Sequence, residues 1–225
     1  RRYEQRCWFQ AAWPLACLAG MQLINQHIAT LVLGYFVTVA DVAVFKVVTS
    51  VAGAVGFGLY SVNTMIAPYF AKLYAQKEKQ KLQYLVSLSS GVILIFCVPI
   101  AIMLVVFGNE VVLLMFGAEY VRGYEALLIL VIGQLINSIT GSVSILLNMT
   151  GFERDTVKAF SISAVINILC NLFAVPYWGV LAAAYASAIG MIVWNMMLII
   201  VAYRRLDIVS VAFYSFWPKY KVLNI

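Results

Sequence analysis

The sequence predicts an all-α, polytopic membrane helix bundle of six transmembrane helices. Of its 225 residues, 64% are hydrophobic and only 11% are charged, whereas soluble domains carry about a quarter of charged residues. Apolar stretches long enough to cross a bilayer recur along the whole chain. A helix satisfies its own backbone in lipid, and the alternating pattern of a membrane barrel is absent, so each stretch is assigned to a helix.

Six spans fit these stretches, each with the ~20 residues that crossing requires. They cover residues 8–36, 43–74, 83–107, 123–149, 156–175 and 180–203. Residues 1–205 then form one transmembrane lobe, and residues 206–225 form a cytoplasmic tail or the start of a further helix. The first residue is Arg, and the opening "RRYEQRCWFQ" is typical of a loop entering a span. We therefore expect the chain to be a fragment of a longer protein.

Two shorter elements connect the later spans. The apolar run "EVVLLMF" (110–116) is too short to cross, so we expect a separate short helix lying at the outer interface. The stretch "PYWG" (176–179) is expected to form a tight outer turn, because Pro and Gly favour turns and Tyr and Trp favour headgroup depth.

Charge predicts the orientation of the spans. All but two of the 15 basic residues lie in residues 1–7, 75–82, 150–155, the tail after 203 and the adjoining helix ends. Lys46 and Arg122 are the two on the opposite side. By the positive-inside rule, both ends of the chain lie in the cytoplasm, and the protein lies in the cytoplasmic (inner) membrane. This bias also accounts for the net charge of +6 without a nucleic-acid partner.

The chain carries no pattern of hydrolytic or transfer chemistry, such as a P-loop or HExxH. We therefore predict that it is not an enzyme and binds no cofactor or metal. Its four cysteines form no CxxC pair and no Cys/His cluster, which favours a packing role. No pair of acidic residues lies deep in a span, which disfavours ion coupling within this segment.

The first span carries unusual polar residues in "GMQLINQHIATL" (20–31). At 100° per residue, Gln22, Asn25 and Gln26 share an arc of about 100°, and His27 flanks it. Polar groups at that depth are disfavoured unless they meet partners or water.

Two interpretations of this arc stay open. In one, the amides tie neighbouring helices together, as is common in membrane bundles. In the other, they line a water-filled substrate cavity. The candidate cavity-lining residues are Gln22, Asn25, Gln26, His27 and, on the second span, Asn63. The same two interpretations apply to the amides of later spans, which are Gln134, Asn137, Asn148, Asn167, Asn171 and Asn195.

Five motifs in order give the chain a resemblance to a known family. They are "LVLGYF" (31–36), "IAPYFAKLYAQKEKQKL" (66–82), "LLMFGAEY" (113–120), "LLNMTGFERD" (146–155) and "YWGVLAAAYASAI" (177–189). Together they resemble the C-terminal half of the polysaccharide and oligosaccharide-lipid flippases, from about residue 8 to 205. That superfamily also contains the multidrug and toxic compound exporters.

The resemblance implies a two-lobed protein of twelve to fourteen spans that forms a V around a central cavity. This chain would be the later lobe, with the missing N-terminal lobe, membrane lipids and a lipid-linked glycan as its partners. The implied activity is transport of the lipid-linked oligosaccharide by alternating access. Relatives often have a cationic cavity, whereas the matching span here offers His27 and amides but no Arg or Lys.

Two other functions remain as alternatives. One is a drug or metabolite exporter of the same fold, which predicts a buried carboxylate in the other lobe. The other is a non-transporting scaffold for polysaccharide assembly, which predicts that the basic stretch "QKEKQK" (76–81) matters and the amides do not.

Overall fold

The computed structural model describes residues 5–209, and side chains from residue 16 onward apart from residue 18. The described residues form helices and no strand, so the prediction of an all-α membrane bundle is confirmed. The helices are α1 (Gln5–Phe36), α2 (Val39–Gly53), α3 (Phe57–Ala75), α4 (Lys79–Phe116), α5 (Tyr124–Thr140), α6 (Val143–Met149) and α7 (Glu153–Leu206). Most of the tail predicted at 206–225 lies outside the described residues.

Within the described residues, four helical segments are long and apolar enough to cross a membrane. They are Val39–Ala75, Lys79–Phe116, Ala118–Thr140 and Glu153–Leu206. The first of them joins α2 to α3 through a 3-10 turn at Ala54–Gly56, and the third begins with a 3-10 turn at Ala118–Gly123. Helix α1, with 32 residues, also exceeds the length needed to cross.

Helix α7 is a hairpin of two helical arms, which are joined at a single non-helical residue, Gly179. Gly179 has φ 53° and ψ −125°, a conformation that side-chain-bearing residues rarely adopt. On either side of it, the Ser163 hydroxyl donates to the Gly190 carbonyl at 2.8 Å. The ring centroids of Phe160 and Trp194 lie 5.1 Å apart. Since the two residues of each pair lie on opposite sides of Gly179, the arms run antiparallel. The turn predicted at "PYWG" (176–179) is confined to Gly179, the last residue of that stretch.

The fourth predicted span (123–149) is not one continuous helix. It breaks between α5 and α6 at Gly141, whose φ is +66°. A Cβ built on Gly141 would lie 2.1 Å from the Ser90 hydroxyl oxygen of α4. The close approach of α4 therefore leaves room only for glycine, and the break corrects the prediction of an uninterrupted helix.

The run 110–116 is helical as predicted, and a kink at Phe107 (φ −116°, ψ 16°) separates it from the preceding part of α4. The prediction of a separate short helix after the third span is therefore confirmed, while its place at the outer interface stays a prediction. The Tyr124 hydroxyl donates to the Val105 carbonyl at 2.6 Å. A Cβ on Gly108 would lie 2.8 Å from the Tyr124 ring. Tyr124 therefore packs closely against α4 at its break, and the loop after α4 folds back onto it.

The largest buried cluster joins α1, α2, α4, α5 and α7. Small residues dominate where α7 enters it, and Ala182, Ala183 and Ala184 are fully buried. Large apolar side chains such as Ile95, Leu114 and Phe173 are instead exposed on the outside of the bundle. An exposed apolar surface of this extent is what a lipid-facing bundle presents.

Candidate functional site

Helix α1 packs mainly against α7, and Asn25 of the polar arc lies in this contact. Among the described side chains of α1, the buried ones are Asn25, Ala29, Val32 and Leu33. Asn25 is only 8% exposed, although it was predicted as a cavity-lining residue. Its burial comes from the α7 arm that crosses it.

Asn25 forms the kind of interhelical contact that the first interpretation predicts. Its Nδ2 donates to the Phe160 carbonyl of α7 at 3.0 Å and to the Met21 carbonyl at 3.2 Å. Its Oδ1 is buried and has no hydrogen-bond partner among the described residues. A buried amide oxygen without a partner is unfavourable, so Asn25 contributes an unused acceptor to the arc.

The other members of the arc differ in exposure from Asn25. Gln22 is half-buried, while Gln26 and His27 are exposed. Their neighbours on the outer face are apolar, and Leu31 is 69% exposed. The structure thus brings Gln22, Asn25 and Gln26 to one edge of α1. Their role as cavity lining stays a prediction.

Asn63 lies apart from this group. It is half-buried on α3, whose principal neighbours are α4 and α6 rather than α1. Its Oδ1 is buried without a hydrogen-bond partner among the described residues. The sequence placed Asn63 in the candidate site because of its polarity, but the structure does not set it against the arc of α1.

Two amides of the later spans form hydrogen bonds between helices, as the first interpretation predicts. The Asn195 Nδ2 on α7 donates to the Asn137 Oδ1 on α5 at 3.0 Å. The Thr140 hydroxyl of α5 donates to the Asn195 Oδ1 at 2.7 Å. For Asn137 and Asn195 the interhelical interpretation is therefore confirmed. Asn171 instead bonds within its own arm, to the Asn167 carbonyl at 2.8 Å.

Basic residues gather at one end of the bundle. Lys79 at the start of α4 pairs with Asp207 after α7 at 2.6 Å, and Arg205 pairs with Asp155 at 3.0 Å. The α3–α4 turn, the start of α7 and its end therefore meet here. Arg122 pairs with Asp41 at 3.1 Å at the opposite end.

A cavity of about 490 Å³ opens at the basic end, and sequence reasoning did not find it. Its lining residues are Leu73, Tyr74, Ala75, Lys77, Lys79, Leu82, Arg205, Leu206 and Ile208. The basic stretch "QKEKQK" (76–81) gave a partial signal. Its meeting with the end of α7 is a long-range contact that the local pattern does not contain.

Comparison with known proteins decides the family. Residues 2–125, more than half of the chain, match the family model described as polysaccharide biosynthesis protein. The chain belongs to this family. Its membership and its apolar helices make it a multi-pass membrane protein, as predicted.

Two curated proteins resemble the chain at low identity. The uncharacterized membrane protein MJ1068 of Methanocaldococcus jannaschii is 24% identical over 78% of this chain and 36% of its own length. The probable low-salt glycan biosynthesis flippase Agl15 of Haloferax volcanii is 25% identical over 70% of this chain and 34% of its own length. The chain thus spans about a third of the curated relatives that it matches. No solved structure matches it significantly.

Proposed function

We propose that this chain is one lobe of a flippase that moves a lipid-linked glycan across the cytoplasmic membrane by alternating access. The family match to polysaccharide biosynthesis proteins carries the proposal, and the similarity to a protein named as a probable glycan flippase supports it. In this proposal the protein is a transporter rather than an enzyme. A second, N-terminal lobe of the same protein supplies the opposite wall of the substrate path.

The proposed orientation places the basic end of the bundle in the cytoplasm. The contacts between Lys79 and Asp207 and between Arg205 and Asp155 bring the basic loops to the same end. Basic residues concentrate on the cytoplasmic side of membrane proteins. The end of α7, at Leu206, then lies on the cytoplasmic side.

The outer edge of α1 is the proposed contact for the sugar head of the substrate. Gln22, Gln26 and His27 are at least partly exposed on this lobe. Amide side chains both donate and accept hydrogen bonds, so they suit sugar hydroxyls. The adjoining apolar residue Leu23 is exposed as well and suits the lipid tail.

The test combines Gln22→Leu and Gln26→Leu in the full-length protein in its native host, with Asn25 left intact because it holds α7. We expect loss of surface glycan at unchanged membrane abundance. The matched control, Leu31→Ala, removes an exposed apolar side chain of the same helix that we place in the surrounding lipid, and it should retain most surface glycan. Normal surface glycan in the amide variant would reject this site, and unchanged glycan after deletion of the gene would reject the flippase function itself.

A further inference from the structure

The cavity at the basic end combines a cationic rim with an apolar floor. Lys77, Lys79 and Arg205 supply the rim. Its floor is built from aliphatic side chains, which are Leu73, Leu82, Leu206 and Ile208. No acidic residue is among the lining residues of this cavity. Its volume of about 490 Å³ falls within the range of small-ligand sites.

We propose that this cavity binds the phosphate headgroup of an anionic phospholipid. It lies where α3 and α7 end. Because both helices belong to segments long and apolar enough to cross a membrane, we expect this end to meet the lipid headgroups. A basic rim matches the phosphate, and the aliphatic floor matches the glycerol and the first methylene groups of the acyl chains. Basic pockets between helix ends on the cytoplasmic side are known to hold such headgroups. The proposal is independent of glycan transport.

Arg205 is held in place for this role. Its Nε donates to the Asp155 carboxylate at 3.0 Å, and its guanidinium carbon lies 5.8 Å from the centre of the Phe152 ring. The bond at Nε leaves the two terminal amino groups for a phosphate. Because the guanidinium is already oriented, binding loses less side-chain freedom than it would with an unrestrained arginine.

Lys79 also keeps donors for a ligand. Its ammonium pairs with Asp207 at 2.6 Å, and an ammonium has three N–H donors. Lys77 has no ion pair among the described residues. The rim therefore carries more positive charge than its acidic neighbours neutralise.

The backbone around the cavity is strained at two charged residues. Lys77 (φ 59°) and Asp207 (φ 51°) are the only non-glycine residues with positive φ in the described part of the chain. Lys77 occupies the position that closes α3, with the Glu78 N–H bonded to the Leu73 carbonyl at 3.1 Å. Glycine is the usual residue at this position of a helix end. A lysine there keeps a strained backbone, which is typical of sites where the side chain has a function.

Charge argues against the remaining tail of the chain as the occupant. Residues 210–225 contain two lysines and no aspartate or glutamate. A segment of that charge is repelled by a rim of Lys77, Lys79 and Arg205. An anionic phosphate is the complementary ligand.

Photocrosslinking in the full-length protein tests the proposal. Benzoylphenylalanine replaces Tyr74, which lines the cavity, or as a control Tyr84, which is exposed on α4 outside it. The protein is placed in phosphatidylcholine nanodiscs that contain tagged phosphatidylglycerol or, separately, tagged phosphatidylcholine. We expect phosphatidylglycerol to label position 74 several-fold more than position 84, and several-fold more than tagged phosphatidylcholine labels position 74.

Variants that remove a charge then test whether the crosslinking of phosphatidylglycerol at position 74 depends on the basic rim. Lys77→Gln and Arg205→Gln should each reduce it about five-fold, while Lys72→Gln, an exposed lysine outside the lining, should leave it unchanged. Lys77→Gly removes the cation and relieves the backbone, so it should raise the melting temperature and still lose the label.

Three results would overturn the proposal. They are equal labelling by the neutral lipid, no loss of label in Lys77→Gln and Arg205→Gln, and full displacement of the label by soluble inorganic phosphate, which would assign the cavity to a free anion. Because none of these measurements uses glycan export, they leave the flippase proposal to its own test.

Discussion

The Asn25 side chain of α1 hydrogen-bonds the Phe160 carbonyl of α7 across 3.0 Å. This bond sits at the edge of a polar arc whose next member, Gln26, is exposed. One helix therefore uses neighbouring amides in two ways, because a difference of about 100° around the helix separates the packed side from the free side. The interhelical interpretation therefore applies to Asn25, and the cavity interpretation stays a prediction for Gln26.

We expect water access to distinguish Gln26 and His27 from the lipid-facing residues of α1. In a full-length protein whose native cysteines are replaced by alanine, Gln26→Cys and His27→Cys should react with a membrane-impermeant thiol reagent in at least one transport state. Leu31→Cys, equally exposed on this lobe, should not react because we place it in lipid. Reaction at Leu31→Cys alone would show that the hydrated side of α1 has been assigned wrongly.

The tie between α5 and α7 should be measurable as a coupling energy. Asn195→Leu removes the bonds to Asn137 and Thr140, and interhelical hydrogen bonds in membranes are worth about 0.6 kcal/mol each. We therefore expect a loss of about 1 kcal/mol in the free energy of unfolding in detergent. A double-mutant cycle with Asn137→Leu should show coupling of about 0.6 kcal/mol.

The control for this cycle is Met196→Leu, an exposed position on the same arm. Its effect should stay within about 0.5 kcal/mol. Additive effects of Asn137→Leu and Asn195→Leu would mean that the 3.0 Å bond contributes nothing to stability.

The break between α5 and α6 should tolerate no side chain. In Gly141→Ala the new Cβ meets the Ser90 hydroxyl at 2.1 Å, and the residue must also keep a φ of +66°. Steric overlap and left-handed backbone together predict a loss of about 3 kcal/mol in unfolding free energy.

Gly151→Ala is the matched control for the break. Its φ is +85°, but nothing lies within 4 Å of a Cβ built there. It should therefore show the backbone cost alone, about 1 kcal/mol. Ser90→Gly should recover part of the loss in Gly141→Ala, and equal losses in Gly141→Ala and Gly151→Ala would remove the steric argument.

Hydropathy predicted the bundle because lipid imposes one solution on an apolar stretch of this length. It did not predict the break at Gly141, because nothing in the local pattern "ITGSV" reveals that Ser90 approaches from α4. A helical wheel likewise gives the arc of Gln22, Asn25 and Gln26 but not the side from which α7 arrives. The rotation of a helix against its neighbours is a tertiary property.

The cavity at the basic end was not predicted for the same reason, because it depends on how helices pack together. Lys77 and Arg205 lie in separate helix ends, and only their meeting makes a site. The sequence identified the basic stretch "QKEKQK" (76–81), but it could not identify its partner. Polar residues that meet across long chain separations are the part of a site that a single sequence leaves undetermined.

Gln83 should control the position of the chain after α7. It is 8% exposed on α4; its Nε2 donates to the Val209 carbonyl at 2.7 Å and its Oε1 accepts from the Val209 N–H at 2.9 Å. Gln83→Leu removes both bonds and leaves the part-buried Val209 amide without this partner, at a cost of about 1–3 kcal/mol. Hydrogen exchange at the Val209 amide should therefore accelerate between about five-fold and a hundred-fold. Gln80→Leu, at an exposed position one turn earlier, should leave exchange at Val209 unchanged. If Gln83→Leu also left it unchanged, the end of α7 would be held at α4 by the apolar contacts of Ile208 rather than by the amide.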